Sequence, residues 1–252
     1  MGQLCMSTSS ADMAEVDMDK IRLVHWVALE SNPDMLNDFA HKVGLPEGWE
    51  FVDVFGTDPE LLCMVPPTRL AVTLLFQCSD NIRKFKEAQK ARIESSSQKL
   101  SPDLTYIKQY VGNACGTIAC MHSLANNAEV LGISGSETPL GKFLTSIKGK
   151  SPQDAGLALV DASELHSASE ASAQGGQTAA PEADADIDMH FITFIEKDGD
   201  LYEMDGGKAF PINHGPTGGD FMVAACKVIK DNFMEMDPES INFNMMALVK
   251  SA

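Results

Sequence analysis

The sequence lacks any long run of apolar residues. A helix that crosses a bilayer needs about 20 of them in succession, and the longest candidate here, residues 70–76, is far shorter and contains Thr73. The N-terminal region also lacks a basic segment followed by an apolar one, which is the pattern of a secretory signal. The sequence therefore predicts neither a transmembrane segment nor a secreted protein.

Basic residues are scarce. The chain has 19 Lys and Arg against 36 Asp and Glu, which gives a formal net charge of −17 at pH 7. A surface of this sign repels phosphate backbones, so the charge disfavours a nucleic-acid partner. A basic protein or peptide is the natural complement.

Cysteine and histidine patterns that bind metals are missing. The six cysteines form no CxxC pair, and the six histidines show no ligand spacing such as HExxH. Zinc sites and disulfide scaffolds usually carry such regular spacing. We therefore expect reduced thiols and no metal or other cofactor, as in a cytoplasmic protein, with the nucleus as a second compartment.

The chain is long enough for one sizeable core, with 252 residues of which 44% are hydrophobic. Residues 1–22 are rich in Ser and acids and predict a flexible tail, followed by a single domain over residues 23–252. The first residues nearly match a myristoylation site, but Met6 stands where that site needs Ser or Thr. An unmodified tail is therefore favoured over lipidation of Gly2 or Cys5.

A break in composition occurs at residues 163–187, which hold Ser, Ala, Gly and acids and almost no bulky apolar side chains. The sequence predicts a long structureless loop there. The part of the chain that follows is too short to fold well alone, so we expect a loop within one domain rather than a linker.

Helices and strands are both predicted from periodicity and from turn residues. The predicted helices cover residues 33–43, 81–93, 102–107, a stretch that begins near Cys115, 140–147 and 221–234. The predicted strands cover residues 49–55, 70–76, 190–195, 201–204 and 243–249. Asp198-Gly199 supplies a hairpin turn between the third strand and the fourth.

Cys115 is the first candidate for chemistry. It lies at a predicted junction between a loop and a helix, in the tetrapeptide NACG. The positive end of a helix dipole lowers the pKa of a thiol and favours the reactive thiolate. Gly116 leaves the backbone open to a substrate carbonyl. The alternative is that Cys115 is a small buried apolar residue, as most single cysteines are.

A nucleophilic thiol needs a base. His122 lies seven residues further along the same predicted helix, about 10 Å of rise, and is better explained as a packed or capping residue. His190 begins a strand, and the two-residue hairpin turn makes Asp205 its diagonal partner at about 7–8 Å between Cα atoms. A carboxylate there orients the imidazole and stabilises the imidazolium. The alternative for Asp205 is an ordinary turn residue before two glycines.

Gln109 is a candidate for an oxyanion hole. It precedes Cys115 by six residues, near the end of the predicted helical stretch before the nucleophile's loop. Its side-chain amide can donate beside the Cys115 backbone N–H, and one such donor contributes ~3 kcal/mol in the transition state. Together, the Cys, His and Asp favour an enzyme with a nucleophilic thiol, whereas a Gln at this spacing is weak evidence by itself.

Nine short stretches occur in one order from about Val24 to the end of the chain. They are LESNP (29–33), FVDV (51–54), DPELL (58–62), QYVGNACG (109–116), MHS (121–123), GQT (176–178), MHF (189–191), LYEMDG (201–206) and FPINHG (210–215). In this order they resemble the ubiquitin carboxyl-terminal hydrolases. The resemblance is to the short, single-domain branch of that family, which has no C-terminal extension.

The resemblance implies an α/β fold of the α+β kind. The family has a papain-like cysteine protease fold, with a central, mainly antiparallel sheet flanked by helices and a knotted chain path. It implies that Cys115 is the nucleophile, that His190 is the general base and acid, that Asp205 orients His190 and that Gln109 joins the oxyanion hole. Residues 163–187 then match the crossover loop that limits the size of the leaving group.

The resemblance also implies a partner. Glu30, Asp34 and Asp53 match acidic positions that receive the basic tail of ubiquitin, which suits the net charge of −17. The implied reaction releases small adducts or short peptides from the C-terminal glycine of ubiquitin through a thioester, in a monomer without a cofactor. One departure is Gly207, which stands where relatives commonly have Arg.

Other functions stay open on the sequence. The same chemistry can act on a ubiquitin-like modifier such as NEDD8. A second possibility is a binding protein that stabilises ubiquitin with little turnover, and a third is a general cysteine peptidase. The presence of all four catalytic residue types favours the enzyme over the binder.

Overall fold

The fold is built on one antiparallel sheet. The computed structural model describes residues 24–176, 182, 185 and 188–251. The strands are β1 (Trp49–Asp53), β2 (Arg69–Gln77), β3 (Met189–Lys197), β4 (Asp200–Met204), β5 (Ile212–Pro216) and β6 (Phe243–Lys250). Their order in the sheet is β1-β6-β2-β3-β4-β5, and every neighbouring pair is antiparallel. The prediction of a central antiparallel sheet is confirmed.

Helices cover both faces of this sheet. The described part of the chain contains α1 (Pro33–Val43), α2 (Pro59–Leu62), α3 (Asp80–Ser96), α4 (Cys115–Ala125), α5 (Pro139–Ile147), α6 (Pro152–Val160), α7 (Ser163–Ala173) and α8 (Phe221–Ile229). A π-helical turn, Lys230–Met234, follows α8, so only the first part of the predicted helix 221–234 is α-helical.

Side chains of β3 show why the fold has three layers. Phe191 and Ile195 pack in the core that contains α1 and α4, whereas Ile192 and Phe194 pack in the core that contains α8. Successive side chains of a strand point to opposite faces, so a strand that is apolar on both faces belongs in the middle layer. The polar exception, Thr193, shares a 2.8 Å hydrogen bond with a Ser hydroxyl of α4.

The first helix begins and ends where the sequence predicts. The Asn32 side chain accepts a hydrogen bond from the Met35 N–H (2.9 Å), and Pro33 fills the first turn, where no N–H is needed. Gly44 follows the last turn with a φ of 127°, a region that favours glycine. This helix is fixed on β1 by Asn37, whose amide bonds the N–H and the carbonyl of Phe51.

The predicted helix over residues 102–107 is wrong. This segment has no helical hydrogen bonding, because its backbone groups bind partners elsewhere in the fold. The Ile107 N–H donates to the His122 ring (2.9 Å), and the Gln109 N–H donates to the Gly206 carbonyl (2.9 Å). These long-range bonds satisfy the donors that a helix would have used.

The prediction of a structureless loop over residues 163–187 is wrong for its first part, which forms α7. This helix packs against α1 and buries Ser169 and Ala173. The Ser169 hydroxyl shares a 2.7 Å hydrogen bond with Thr117 of α4. A helix that buries small and polar residues has no clear apolar periodicity, so the sequence pattern does not reveal it. The short elements α2, α6 and β5 are also absent from the sequence predictions.

Two sequence predictions fall on residues outside the described ranges. The tail over residues 1–22, with its weak lipidation site, is one of them. The second part of the predicted loop is the other, apart from residues 182 and 185.

Candidate active site

Cys115 is the first residue of α4, which packs against β3. Ala114 precedes it and offers no side chain to the first N–H groups of the helix, so these groups and the positive end of the dipole lie at the thiol. Asn113 adopts a φ of 58° and turns the chain into the helix. The structure therefore presents the thiol at a loop-to-helix junction, as the sequence predicts.

Close packing fixes the loop before the nucleophile. A Cβ on Gly112 would lie 2.1 Å from the His25 ring, and one on Gly116 would lie 3.2 Å from the Phe191 ring. The Trp26 N–H donates to the Gly112 carbonyl (3.0 Å), so the segment before α1 pairs with this loop. A side chain at position 112 would therefore collide with the His25 ring, whereas one at position 116 would require a small shift of the Phe191 ring.

His190 and Asp205 are brought together by the β3–β4 hairpin. Its two-residue turn has positive φ at both positions (53° and 81°), and the register pairs Thr193 with Met204. One position further from the turn, Ile192 lies opposite Asp205. His190 is therefore the diagonal neighbour of Asp205. His190 Nε2 lies 2.7 Å from Asp205 Oδ1. The turn residues alone therefore predict this pair.

The thiol of Cys115 hydrogen-bonds the ring of His190. Because Nε2 is bound to Asp205, the ring offers Nδ1 to the sulfur. Burial by itself raises the pKa of the Cys115 thiol, but the hydrogen bond and the charge of His190 outweigh it and lower that pKa below 9.0. The three side chains thus form one continuous chain of hydrogen bonds.

The charge of Asp205 sets the state of the imidazole. Burial by itself lowers the pKa of His190, but the carboxylate outweighs it, with help from Cys115, and raises that pKa to about 10. At neutral pH the imidazole is therefore protonated, and its charge favours the thiolate form of Cys115, which is the reactive form of a cysteine side chain.

The Asp205 carboxylate is itself fully buried. Burial raises its pKa, but the charge of His190 and then that of Lys86 outweigh this effect and hold the pKa well below its ordinary range. Oδ1 also accepts the Gly207 N–H (2.9 Å), and the Tyr106 hydroxyl donates to the Asp205 carbonyl. Gly207, at the position where the resemblance leads one to expect Arg, contributes only backbone groups.

Gln109 lies between the nucleophile's loop and the Asp205 turn. Its side-chain Nε2 donates to the Val111 carbonyl (3.1 Å), which leaves a second N–H on the same nitrogen. Its Oε1 is buried and has no hydrogen-bond partner among the described residues. A Cβ on Gly206 would lie 3.2 Å from the Gln109 Cβ, so the two segments are in close contact. The role of Gln109 as an oxyanion donor stays a prediction.

His122 supports the site instead of acting as its base. The ring is fully buried, accepts the Ile107 N–H on Nε2 (2.9 Å) and stacks on Tyr106 at 5.3 Å between centroids. Burial lowers the pKa of His122 to about 4, so the ring is neutral at physiological pH. As the sequence predicts, His122 is a packed histidine, and it holds the segment that leads to Gln109.

The predicted ubiquitin-binding acids lie on the segment before α1, on α1 itself and at the end of β1. Glu30 precedes α1, Asp34 is exposed in its first turn, and Asp53 is the last residue of β1. Two strands, β6 and β2, separate β1 from the β3 strand that carries His190. The role of these acids in binding stays a prediction.

Two residues of the site carry no sequence signal. Lys86 Nζ lies 2.7 Å from Asp205 Oδ2, and Lys108 Nζ donates to the Gly207 carbonyl (2.7 Å). Lys86 lies on a largely polar helix, and Lys108 follows the apolar residues Tyr106 and Ile107, but neither position is distinguishable in sequence from that of a solvent-exposed charge. Only the packing of distant segments shows that both reach Asp205 and its turn.

The crossover segment is tied to the nucleophile's loop at one point that the structure describes. Asn113 Nδ2 donates to the Ala185 carbonyl (3.0 Å), so this part of the chain lies beside the loop that leads to Cys115. The size limit that it would impose on leaving groups stays a prediction.

Within the described ranges, no group of three or more His, Cys, Asp or Glu side chains is arranged to hold a metal ion. None of the helices in this part of the chain is long and apolar enough to cross a bilayer. The five described cysteines, Cys115 among them, are all free thiols.

Comparison with known proteins agrees with this geometry. The family described as "Ubiquitin carboxyl-terminal hydrolase, family 1" matches residues 26–235, which is most of the chain. The chain belongs to the ubiquitin carboxyl-terminal hydrolase family. A Drosophila melanogaster member is 40% identical over 90% of this chain and 98% of its own length. A probable ubiquitin carboxyl-terminal hydrolase of Dictyostelium discoideum is 38% identical over 90% of this chain and 88% of its own length.

Solved structures support the fold of this ubiquitin carboxyl-terminal hydrolase. The catalytic domain of Trichinella spiralis UCH37, crystallised with ubiquitin vinyl methyl ester, matches with a TM-score of 0.67 at 19% identity. The match covers 93% of this chain and 100% of that domain. At this identity the likeness establishes the fold alone, and it confirms the predicted papain-like fold class.

Proposed function

We propose that this chain is a thiol-dependent hydrolase that releases leaving groups from the C-terminal glycine of ubiquitin. The observation that carries the proposal is the hydrogen-bonded chain from the Cys115 thiol through His190 to the Asp205 carboxylate. Membership of the ubiquitin carboxyl-terminal hydrolase family supports the choice of substrate.

The proposed reaction is acyl transfer to sulfur and then to water. The Cys115 thiolate attacks the carbonyl carbon of the terminal glycine, and the oxyanion is held by the Cys115 N–H and the free N–H of Gln109. His190, protonated on Nδ1, gives that proton to the leaving amine as the thioester forms. The neutral ring then takes a proton from water, which attacks the thioester and regenerates the thiolate.

Substrate choice in this proposal comes from charge and size. The formal charge of −17 attracts a basic partner, and the acids Glu30, Asp34 and Asp53 are proposed to receive the basic tail of ubiquitin. Two glycines at the end of that tail can pass a slot that any Cβ would block. A segment that crosses beside the nucleophile, tied to Asn113 through Ala185, suits small leaving groups.

The test is hydrolysis of a fluorogenic amide at the C-terminus of ubiquitin, in reducing buffer. We expect release by the wild type and none by Cys115→Ala. The matched control is Cys63→Ala, which removes an exposed thiol remote from α4 and should leave the rate unchanged. A folded wild type that binds ubiquitin without releasing the fluorophore would replace the hydrolase with a binding protein.

The same assay with the corresponding NEDD8 amide measures the preference between modifiers. We propose that ubiquitin is the better substrate, so kcat/KM should be higher for it. We also propose that the chain is a monomer, which sedimentation of the purified protein would test.

A further inference from the structure

The two oxygens of the Asp205 carboxylate have different partners. Oδ1 is 2.7 Å from His190 Nε2 and accepts the Gly207 N–H at 2.9 Å. Oδ2 is 2.7 Å from Lys86 Nζ, and no other donor reaches it among the described residues. Since the carboxylate is fully buried, the positive charge of Lys86 compensates the negative charge on its second oxygen.

Lys86 belongs to a helix that is distant in sequence from Asp205. It lies in α3, which begins at a Ser79 cap, and its side chain is only 22% exposed. The ammonium is 5.7 Å from the centre of the Phe76 ring, and that ring meets the His190 ring edge-on at 5.8 Å. The Phe76 ring therefore lies close to both the Lys86 ammonium and the ring of His190.

Other nearby lysines have different partners. Lys208 binds Gln89 and Glu203, and Lys108 binds the carbonyl groups of the turn after Asp205. Lys86 is therefore the one described lysine that contacts the side chain of Asp205. The site then contains two positive groups, Lys86 and the His190 imidazolium, and two negative groups, the Asp205 carboxylate and the Cys115 thiolate.

We propose that Lys86 is a positioning residue that fixes the Asp205 carboxylate and sets the pH range in which Cys115 is a thiolate. The inference deepens the proposed function, because it concerns the same thiol and the same histidine. Lys86 touches neither the substrate nor the sulfur, and it acts only through Asp205 and through its charge.

The direction of the effect follows from electrostatics. A nearby cation favours the deprotonated form of every group around it, so its removal raises each neighbouring pKa. The titratable groups that face Lys86, Asp205 or His190 are Cys78 after β2, Glu203 on β4, Tyr106 and Lys108 before α4, Cys115 and His122 on α4, and Lys208 after β4. All of them remain in place when only Lys86 is changed.

The experiment measures the ionisation of Cys115 without a substrate. Iodoacetamide alkylation is followed over a range of pH, with mass spectrometry of the peptide that contains Cys115. Lys86→Met removes the charge and every N–H donor of the side chain, whereas Lys86→Gln removes the charge but keeps a donor, and Lys86→Arg keeps both. Lys84→Met is the matched control, because Lys84 is exposed on the same helix. Circular dichroism and thermal unfolding confirm that each variant is folded.

We expect the alkylation profiles of Lys86→Met and Lys86→Gln to move by about one pH unit toward higher pH, the order expected when a partly buried site loses a unit charge. Lys86→Arg and Lys84→Met should match the wild type. In ubiquitin-amide hydrolysis, Lys86→Met should lose about tenfold in kcat at little change in KM, because the carboxylate is no longer held.

Superimposed profiles for the wild type and Lys86→Gln would overturn the proposal, even if activity fell, since a merely structural lysine would leave the ionisation unchanged. If Lys86→Met does not fold, Lys86→Gln alone decides the question. Because alkylation needs no ubiquitin, a shifted profile in an inactive protein would support the role of Lys86 and reject the proposed hydrolysis instead.

Discussion

Asp205→Asn is the substitution that most directly tests how the site generates its thiolate. The side chain keeps its shape and can still hydrogen-bond the ring of His190, but the negative charge 2.7 Å from Nε2 is gone. His190 then has no charged partner except Cys115, and its burial disfavours the imidazolium.

The size of the effect follows from the pKa of His190, which is raised from 6.5 to about 10. At ~1.4 kcal/mol per pH unit, this difference corresponds to ~5 kcal/mol of preference for the imidazolium, as an upper limit. Without the imidazolium, burial raises the pKa of the Cys115 thiol. An ordinary thiol, with a pKa of about 8.5, is about 10% ionised at pH 7.5, so the alkylation rate should fall about tenfold or more.

Two measurements check this prediction in Asp205→Asn. The pH profile of Cys115 alkylation should lose its acid limb and follow an ordinary thiol. At pH 7.5, kcat/KM for the ubiquitin amide should fall by about 10²- to 10³-fold, because both the thiolate and the oriented acid are lost. Asp188→Asn is the control, since this carboxylate is 70% exposed and, within the described part of the chain, pairs with Arg83 alone, at 3.4 Å.

An unchanged alkylation profile in Asp205→Asn would refute the reasoning. It would mean that Asp205 only orients the ring, and that the helix dipole at Cys115 is sufficient to ionise the thiol. The loss in kcat/KM would then be the same at every pH, whereas the electrostatic account requires part of the activity to return at high pH.

Two further predictions concern groups around this pair. Glu203 is fully buried between Lys208 and His214; burial raises the pKa of its carboxyl, but Lys208 and then His214 outweigh this and lower it to about 2. A lowered pKa stabilises the fold above the unfolded value of 4.5, and this contribution is lost as the pH falls toward 2. Glu203→Gln should therefore lower the free energy of unfolding by about 3 kcal/mol in urea at pH 7. It should also flatten the fall in stability between pH 4.5 and 2. An unchanged urea midpoint at pH 7 would contradict the pairing. Gln109→Ala should lower kcat for the ubiquitin amide by about 10²-fold with little change in KM or in Cys115 alkylation, because the lost donor acts on the transition state alone. An equal rise in KM would show that Gln109 binds the substrate instead.

Local signals in the sequence predict several parts of this fold. Asn32, Pro33 and Gly44 set the limits of α1 because capping and φ preferences act within a few residues. The two-residue turn after β3 fixes the register of the hairpin, and the register in turn makes His190 and Asp205 neighbours. The helix that begins at Cys115 is equally local, since its position follows from the residues around it.

Other features depend on contacts between distant segments. Residues 102–107 begin with a residue that favours a helix start, yet they are not helical because His122 and the turn after Asp205 form hydrogen bonds with this segment. The many serines of α7 suggest a loop, yet Ser169 and Ser172 are buried because Thr117 and α1 offer hydrogen bonds and close packing. Both predictions fail because the deciding partners are far away in the chain.

The sequence by itself determined which residues can do the chemistry, and the tertiary structure decided how they are held. Cys115, His190 and Asp205 are identified by local position, by hairpin register and by family resemblance. The second partner of the carboxylate, Lys86, comes from a helix that looks in sequence like any charged surface helix. A buried ion pair has no sequence pattern, because its energy depends on the packing that removes both groups from water.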